Sequence, residues 1–346
     1  MSPDMNIVRS QKLADKIVIV DGQPGCGKTM LSPIVAALDR VELLMFVYEI
    51  EYFCALRYLQ KMDKDTAETL IKLITDLRIY NAMMSREVNF RFSDASSAFK
   101  DINPLKYIRR LFQKGDDLVP ERIKNQRPIL HLATHDLLSR ADSVFAALGE
   151  NLVFIEVVRH PLYMLKQEAV NMQRLFLSDP KHFEVYFSYK DKELPYFVYG
   201  WEDLFFSSNH IEKAIYLINS MTERTEAFKN NVEEKLNGAK LITIPFEGFV
   251  ISPEPYLKEI ELALDTKVTK ATRKMMKRQN VPRKMYAQGV KLDVYEKYGW
   301  EAPKSTDEYS ELNLRRKFAQ DNASEDAMVV LDRLSKKYED EYLNKK

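Results

Sequence analysis

Two cysteines, Cys26 and Cys54, in 346 residues leave no basis for a disulfide framework, so a reducing compartment is the expectation. An excess of charge of one sign is missing as well: 52 Lys and Arg face 51 Asp and Glu, a formal net charge of +1. No global field steers the chain toward nucleic acid or a membrane, and any anion binding must be local. A long apolar run is also absent. The most apolar stretch, Val41 to Leu56, carries Glu42, Glu49 and Glu51 and is too short and too charged to span a bilayer. Met1 to Lys16 is polar and lacks the apolar core of a signal peptide. These absences point to a cytoplasmic protein. The chain has no internal repeat and no long low-complexity segment. Its hydrophobic fraction of 45% is ample for a core, and its length allows one large domain or two ordinary ones.

The pattern along the chain predicts an α/β protein. Ile17 to Val20 is a continuous β-branched run, as a fully buried strand of a parallel sheet requires. A glycine-rich turn follows, then helical spacing from Lys28 to Leu38, where Pro33 must bend the helix or remove one backbone bond. From about Val41 to Lys124 the pattern is mainly helical, most clearly over Lys64 to Tyr80. Pro128 to Thr134 and Leu152 to Val158 read as strands separated by a helical stretch near Leu137 to Leu148, the order of a βαβ crossover. A helix at Ile211 to Lys229, a strand at Lys240 to Pro245 and a helix at Pro255 to Leu264 follow. Lys267 to Lys291 then holds nine Lys or Arg and no acid, and a charged helix spans roughly Glu325 to Leu343. The expected architecture is a three-layer P-loop fold with a central parallel sheet. Residues 1–265 form its α/β domain, with a helical insertion at about 41–124. Residues 266–346 form a basic segment and a C-terminal helical extension packed on the same domain.

Gly22-Gln-Pro-Gly25-Cys26-Gly27-Lys28-Thr29 fits G-x-x-x-x-G-K-[ST] in full. Successive backbone N–H groups of such a loop point inward at phosphate oxygens, and glycine permits the angles and the close approach. The helix that starts near Lys28 adds its positive dipole end. Lys28 brings an ammonium to the outer phosphate, and Thr29 offers a hydroxyl to a phosphate or to Mg²⁺.

Three later segments, in this order after a phosphate loop, resemble the sulfotransferase family: Pro128-Ile-Leu-His-Leu-Ala-Thr-His135, Phe154-Ile-Glu-Val-Val-Arg159-His-Pro161, and Ile244-Pro-Phe-Glu247-Gly-Phe-Val-Ile-Ser-Pro253. The resemblance spans most of Ile17 to Leu264. It implies transfer of a sulfuryl group from 3′-phosphoadenosine 5′-phosphosulfate to a hydroxyl or amine of a carbohydrate or small-molecule acceptor. His135 would be the general base and Lys28 would stabilise charge on the leaving oxygen. Gly22, Gly25, Cys26, Gly27, Lys28 and Thr29 would hold the 5′-phosphosulfate, and Arg159 would grip the 3′-phosphate. Gln167 stands where the family commonly has a serine as second 3′-phosphate ligand. Many family members carry Lys or Arg where this loop has Gly25, and Thr where it has Lys28, so the cation has moved along the loop. No metal is implied.

The complete Lys28-Thr29 pair keeps a second reading open, an ATP- or GTP-dependent kinase or NTPase with Mg²⁺ anchored by Glu156 or Asp136. A nucleotide-sensing scaffold is a third. Several residues carry plainer alternatives. His135 can cap a strand end, Asp136 can start a helix, Arg159 can be a surface ion-pair residue, and Glu247 is as readily structural as functional. His131 lies inside an apolar strand and reads as a core residue. The run Lys267 to Lys291 is either a solvated face with Met275, Met276 and Met285 packed inward, or a flap that brings cations to a 3′-phosphate or an anionic glycan. Nucleic-acid binding is not expected, since no aromatic platform or known module accompanies it.

Overall fold

A computed structural model describes residues 5–94, 96–175, 182–230, 232–289, 296–297 and 299–344. Five strands form one parallel sheet: β1 (Ile17–Asp21), β2 (Met45–Phe46), β3 (Leu130–Ala133), β4 (Leu152–Val158) and, last in the chain, β7 (Lys240–Pro245), in the order β2-β3-β1-β4-β7. β1 is central and all five of its residues are buried, which explains the unbroken β-branched run. Val18 and Val20 face one layer with Ile34, Val35, Val153 and Ile155; Ile17 and Ile19 face the other with Leu132, Phe145 and Phe154. A parallel sheet covered on both faces makes this a three-layer α/β fold.

On the first face lie α1 (Lys28–Ala36) and the later helices α11 (Phe246–Ile251), α12 (Glu254–Leu264) and α13 (Lys270–Arg278). Pro33 sits inside α1 and leaves it helical. On the second face lie α2 (Tyr48–Tyr58), α3 (Lys64–Ala82) and α6 (Asp142–Leu148). The helical region 41–124 also contains the short helices α4 (Leu105–Arg110) and α5 (Val119–Gln126). It is not purely helical, because it supplies the edge strand β2. Two residues flanked by helical pattern give no alternation to read, so the sequence did not reveal that strand. Glu42 ties this region down in a buried ion pair with Arg110 at 2.7 Å and with Lys106 at 2.8 Å.

After β4 comes α7 (Pro161–Leu175), with proline at its first position, where a missing N–H costs nothing. An antiparallel hairpin unforeseen from the sequence follows, β5 (Tyr186–Tyr189) and β6 (Lys192–Pro195), then α8 (Glu202–Ser207). α9 (His210–Lys229) begins at a capping box between Asn209 and Glu212, and the short α10 (Val232–Lys235) leads into β7. The C-terminal helices α14 (Glu308–Gln320) and α15 (Glu325–Tyr338) bury Ala319, Ala327 and Leu331 against α7 and α9. The last turn, Glu339–Leu343, widens to π geometry. Among the described residues no helix is long and apolar enough to cross a membrane.

Candidate active site

The glycine-rich loop joins β1 to α1 at the carboxyl edge of the sheet, beside the point where the strand order reverses. Two of its glycines are sterically required. Gly22 has φ 145° and Gly27 has φ 100°; a Cβ would lie 2.4 Å from the Val157 carbonyl oxygen at the first and 2.3 Å from the Phe246 ring at the second. Lys28 is buried, and its Nζ donates to the Gly22 carbonyl at 2.8 Å, so the ammonium folds back over the loop. Thr29 follows as the second residue of α1. Cys26 turns its side chain into the core, where burial pushes the thiol up; what it offers the loop is backbone.

Asp21, the last residue of β1, fixes the neighbouring turn. It accepts from Thr134 Oγ1 at 2.8 Å, from the Leu137 amide at 3.0 Å and from the Leu138 amide at 2.9 Å. The Asp136 amide donates at 3.2 Å to Gly22 O, the oxygen that also takes Lys28. Thr134-His135-Asp136 is thereby clamped to the phosphate loop. Asp136 holds a left-handed φ of 48°, a strain of order 1 kcal/mol or more. Arg140 steadies it, donating to the Asp136 carbonyl at 2.8 Å and to Oδ2 at 3.3 Å. Burial pushes the Asp136 carboxyl up to about 7, against the pull of Arg140.

His135 is the open member of the turn, its side chain 38% exposed. Its amide and its Nδ1 both lie 3.1 Å from Glu51 Oε1, on α2. A carboxylate at Nδ1 holds the proton there and leaves Nε2 as the acceptor, the arrangement a general base needs. The imidazole lies nearly parallel to Phe46 and Tyr48, with centroids 5.9 Å and 6.1 Å away.

Arg159 approaches the loop from the other side. Its Nη1 donates to Gly25 O at 2.9 Å, and its guanidinium lies 4.1 Å from the Phe246 ring centroid and 5.0 Å from that of Tyr163. Arg283 shares the Phe246 ring at 5.5 Å, and Arg315, on α14, shares the Tyr163 ring at 4.5 Å. The Nε atoms of Arg159 and Arg315 are buried with no hydrogen-bond partner among the described residues. Burial and the neighbouring Arg159 push the Arg283 guanidinium down to about 10. Burial lowers Arg159 too, with Glu247 opposing and Arg315 adding. Arg315 has Glu311 at 2.8 Å, whereas Glu247 is committed to the His160 amide at 3.2 Å and to the Tyr338 hydroxyl. Clustered guanidiniums with orphaned donors beside a backbone loop have the chemistry to take an anion. Gln167 borders the loop, its Oε1 3.4 Å from where a Cβ on Gly25 would sit.

The other candidates resolve individually. Glu247 is the structural tie between the turn after β4 and the C-terminal helix. His131 is fully buried, and burial pushes its imidazole down to about 3. Glu156 pairs with Lys229 at 2.5 Å and accepts from Thr243 at 2.9 Å. In the basic segment, Met275, Met276 and Met285 are buried while Lys270, Lys274 and Lys277 face outward; Arg283 shares the Phe246 ring with Arg159 and donates to the carbonyls of Asn280, Tyr286 and Gln279. Lys291 lies outside the described residues. Three residues were not foreseen as part of the site: Glu51, Arg315 and Glu168. Glu168 is buried on α7, and burial pushes its carboxyl up to about 7, against Asn171 and Lys28. Glu51 had one signal in the sequence, as one of three carboxylates within the apolar run Val41 to Leu56.

No family model and no curated protein matches this chain. Among solved structures it is similar to the sulfotransferase domain of the Synechococcus PCC 7002 olefin synthase, at 12% identity over 91% of this chain and 98% of that one, TM-score 0.40. It is also similar to the sulfotransferase domain of the curacin biosynthetic pathway, at 13% identity over 90% and 99%, TM-score 0.42. A mouse sulfotransferase complexed with PAP matches at 12% identity over 93% and 90%, TM-score 0.35. At these values the likenesses carry no inference about chemistry, and the residues of this chain must carry it.

Proposed function

We propose that the protein is a sulfotransferase that moves a sulfuryl group from 3′-phosphoadenosine 5′-phosphosulfate to a hydroxyl or amine of a carbohydrate or small-molecule acceptor. The observation behind this reading is that a glycine-rich backbone loop and a cluster of arginines meet at Gly25, through the Arg159 hydrogen bond to its carbonyl. The backbone cradle at Gly22 to Thr29 suits a 5′-phosphosulfate, and the arginines reached through Gly25 O suit a phosphate at the other end of the ribose. In this reading Gly22, Gly25, Cys26, Gly27, Lys28 and Thr29 hold the first group. Arg159 and Gln167 hold the second, reinforced by Arg315.

The donor substrate supplies the sulfuryl group. The acceptor oxygen forms the new O–S bond as the S–O bond to the 5′-phosphate breaks, and the phosphate oxygen departs with the electron pair. His135 takes the acceptor proton at Nε2, while Glu51 holds Nδ1–H and stabilises the imidazolium that forms. Lys28 neutralises charge on the departing oxygen, which requires its ammonium to leave Gly22 O. The protein's share of the work is positioning and electrostatics, as in phosphoryl transfer.

The complete Lys28-Thr29 pair favours the rival, an ATP- or GTP-dependent kinase using Mg²⁺. Against it, the acids expected to anchor that ion are engaged: Asp136 with Arg140, and Glu156 with Lys229. Incubation with the sulfate donor and a panel of phenols, sugars and amines, read by mass spectrometry, is expected to give acceptors heavier by one sulfuryl group. Phosphoryl transfer from ATP–Mg²⁺ to the same acceptors, with none from the sulfate donor, overturns the reading.

A further inference from the structure

Arg159 stands beside a carboxylate without pairing with it. Glu247 is buried, and its Oε1 accepts at 3.2 Å from the amide of His160, the residue after the arginine. Among the charges that act on Arg159, that of Glu247 is the foremost. Charges taken out of water are normally paired, yet Arg159 forms no ion pair among the described residues and spends Nη1 on a backbone carbonyl, Gly25 O.

Tyr338, the last residue of α15, holds the carboxylate off. Its hydroxyl donates to Glu247 Oε2 and lies 3.4 Å from the carbonyl oxygen of Val158, the residue before the arginine. Contacts to Val158 and, through Glu247, to His160 thus bracket Arg159 on both sides. Tyr338 is itself fixed. It is buried, its ring stands edge-on to that of His160 at 5.6 Å, and Glu339 Oε1 lies 3.1 Å from His160 Nε2. Each oxygen of Glu247 therefore has a donor other than the guanidinium.

The same device recurs at the other edge of the cluster. Glu308, the first residue of α14, accepts from the Tyr163 hydroxyl at 2.7 Å and from the Tyr286 amide. Tyr163 is the ring that Arg159 and Arg315 share. Two carboxylates beside the arginines are each held by one phenol and one amide. Such neutral donors fix a carboxylate while leaving the guanidinium N–H groups for another anion.

We propose that Tyr338 is a positioning residue of the arginine cluster: its hydroxyl withholds Glu247 from Arg159, so that seating of the C-terminal helix keeps the arginine open to an anion. That this anion is the 3′-phosphate of the donor rests on the sulfotransferase reading.

Calorimetric titration of the full chain with 3′-phosphoadenosine 5′-phosphate and with adenosine 5′-phosphate measures the preference for the 3′-phosphate. Tyr338→Phe removes the hydroxyl and keeps the ring. Glu247 then turns to Arg159, and affinity for the bisphosphate is expected to fall about tenfold while the monophosphate is unaffected. Adding Glu247→Gln removes the competing charge, and the double variant is expected to regain the native preference. A loss caused by loosened packing would persist in the double variant. A preference unaltered by Tyr338→Phe, or lost in the single and double variants alike, overturns the proposal and leaves the donor reading standing. A native protein that binds the two nucleotides equally overturns both.

Discussion

The two halves of the site are built from different materials. On the donor side, backbone amides, glycines with left-handed angles and half-buried or buried arginines surround a loop only eight residues long. On the other side, His135 from the turn after β3 meets Glu51 of α2, 84 residues away in the chain, beside the rings of Phe46 and Tyr48. In the proposed reading the first half binds a fixed chemical group, and its steric demands dictate residue types locally. In that reading the second half binds the acceptor, and any scaffold that brings a base to the loop's edge will do.

That contrast can be broken from either side. The largest effect is expected from His135→Ala, which removes the base: turnover should fall about 10²- to 10⁴-fold while donor affinity stays as it was. Steady-state kinetics with a nucleotide titration checks both parts, and unchanged turnover would remove His135 from the site. Arg159→Ala attacks the other half. Affinity for 3′-phosphoadenosine 5′-phosphate should drop about 10- to 100-fold, with adenosine 5′-phosphate little affected. Calorimetry on the pair distinguishes this from damage to the loop through Gly25 O, which would weaken both nucleotides alike.

The smallest effect concerns Glu168, buried near Lys28 between the halves. Its carboxyl stands at about 7 in the folded protein instead of the ordinary 4.5, because burial disfavours the charged form. Between those values the folded state binds the extra proton, so stability is full at low pH and falls as pH rises through 7. Glu168→Gln should abolish that fall. The variant should be more stable than the native protein at pH 8 by on the order of 2 kcal/mol, and equal to it below about pH 4. Urea denaturation across this range would contradict the assignment if both proteins lost stability in parallel.

The same contrast explains what could be read without coordinates. β4 and β7 occupy the residues expected, and β1 runs one residue further, because a buried parallel strand writes an unbroken apolar run. The glycine-rich loop and Arg159 could be placed at the ends of β1 and β4 for the same local reason, since each follows such a strand. β2 was not, being two residues long, and neither was the β5–β6 hairpin, whose strands are half exposed. His135 could be named, but its partner Glu51 could not, since nothing in the sequence of α2 indicates which turn it will face. Arg315 reaches Arg159 only because α14 packs back on α7, a tertiary event beyond any motif.

The central claim is that the cradle and its arginines hold a nucleotide phosphorylated at both ends of the ribose. Thermal denaturation with 3′-phosphoadenosine 5′-phosphate, and with ATP in the presence and absence of Mg²⁺, tests it most directly. Stabilisation by the bisphosphate of about 2.7 kcal/mol at a hundred times its dissociation constant is the expected result. Stabilisation by ATP–Mg²⁺ with none from the bisphosphate would contradict it.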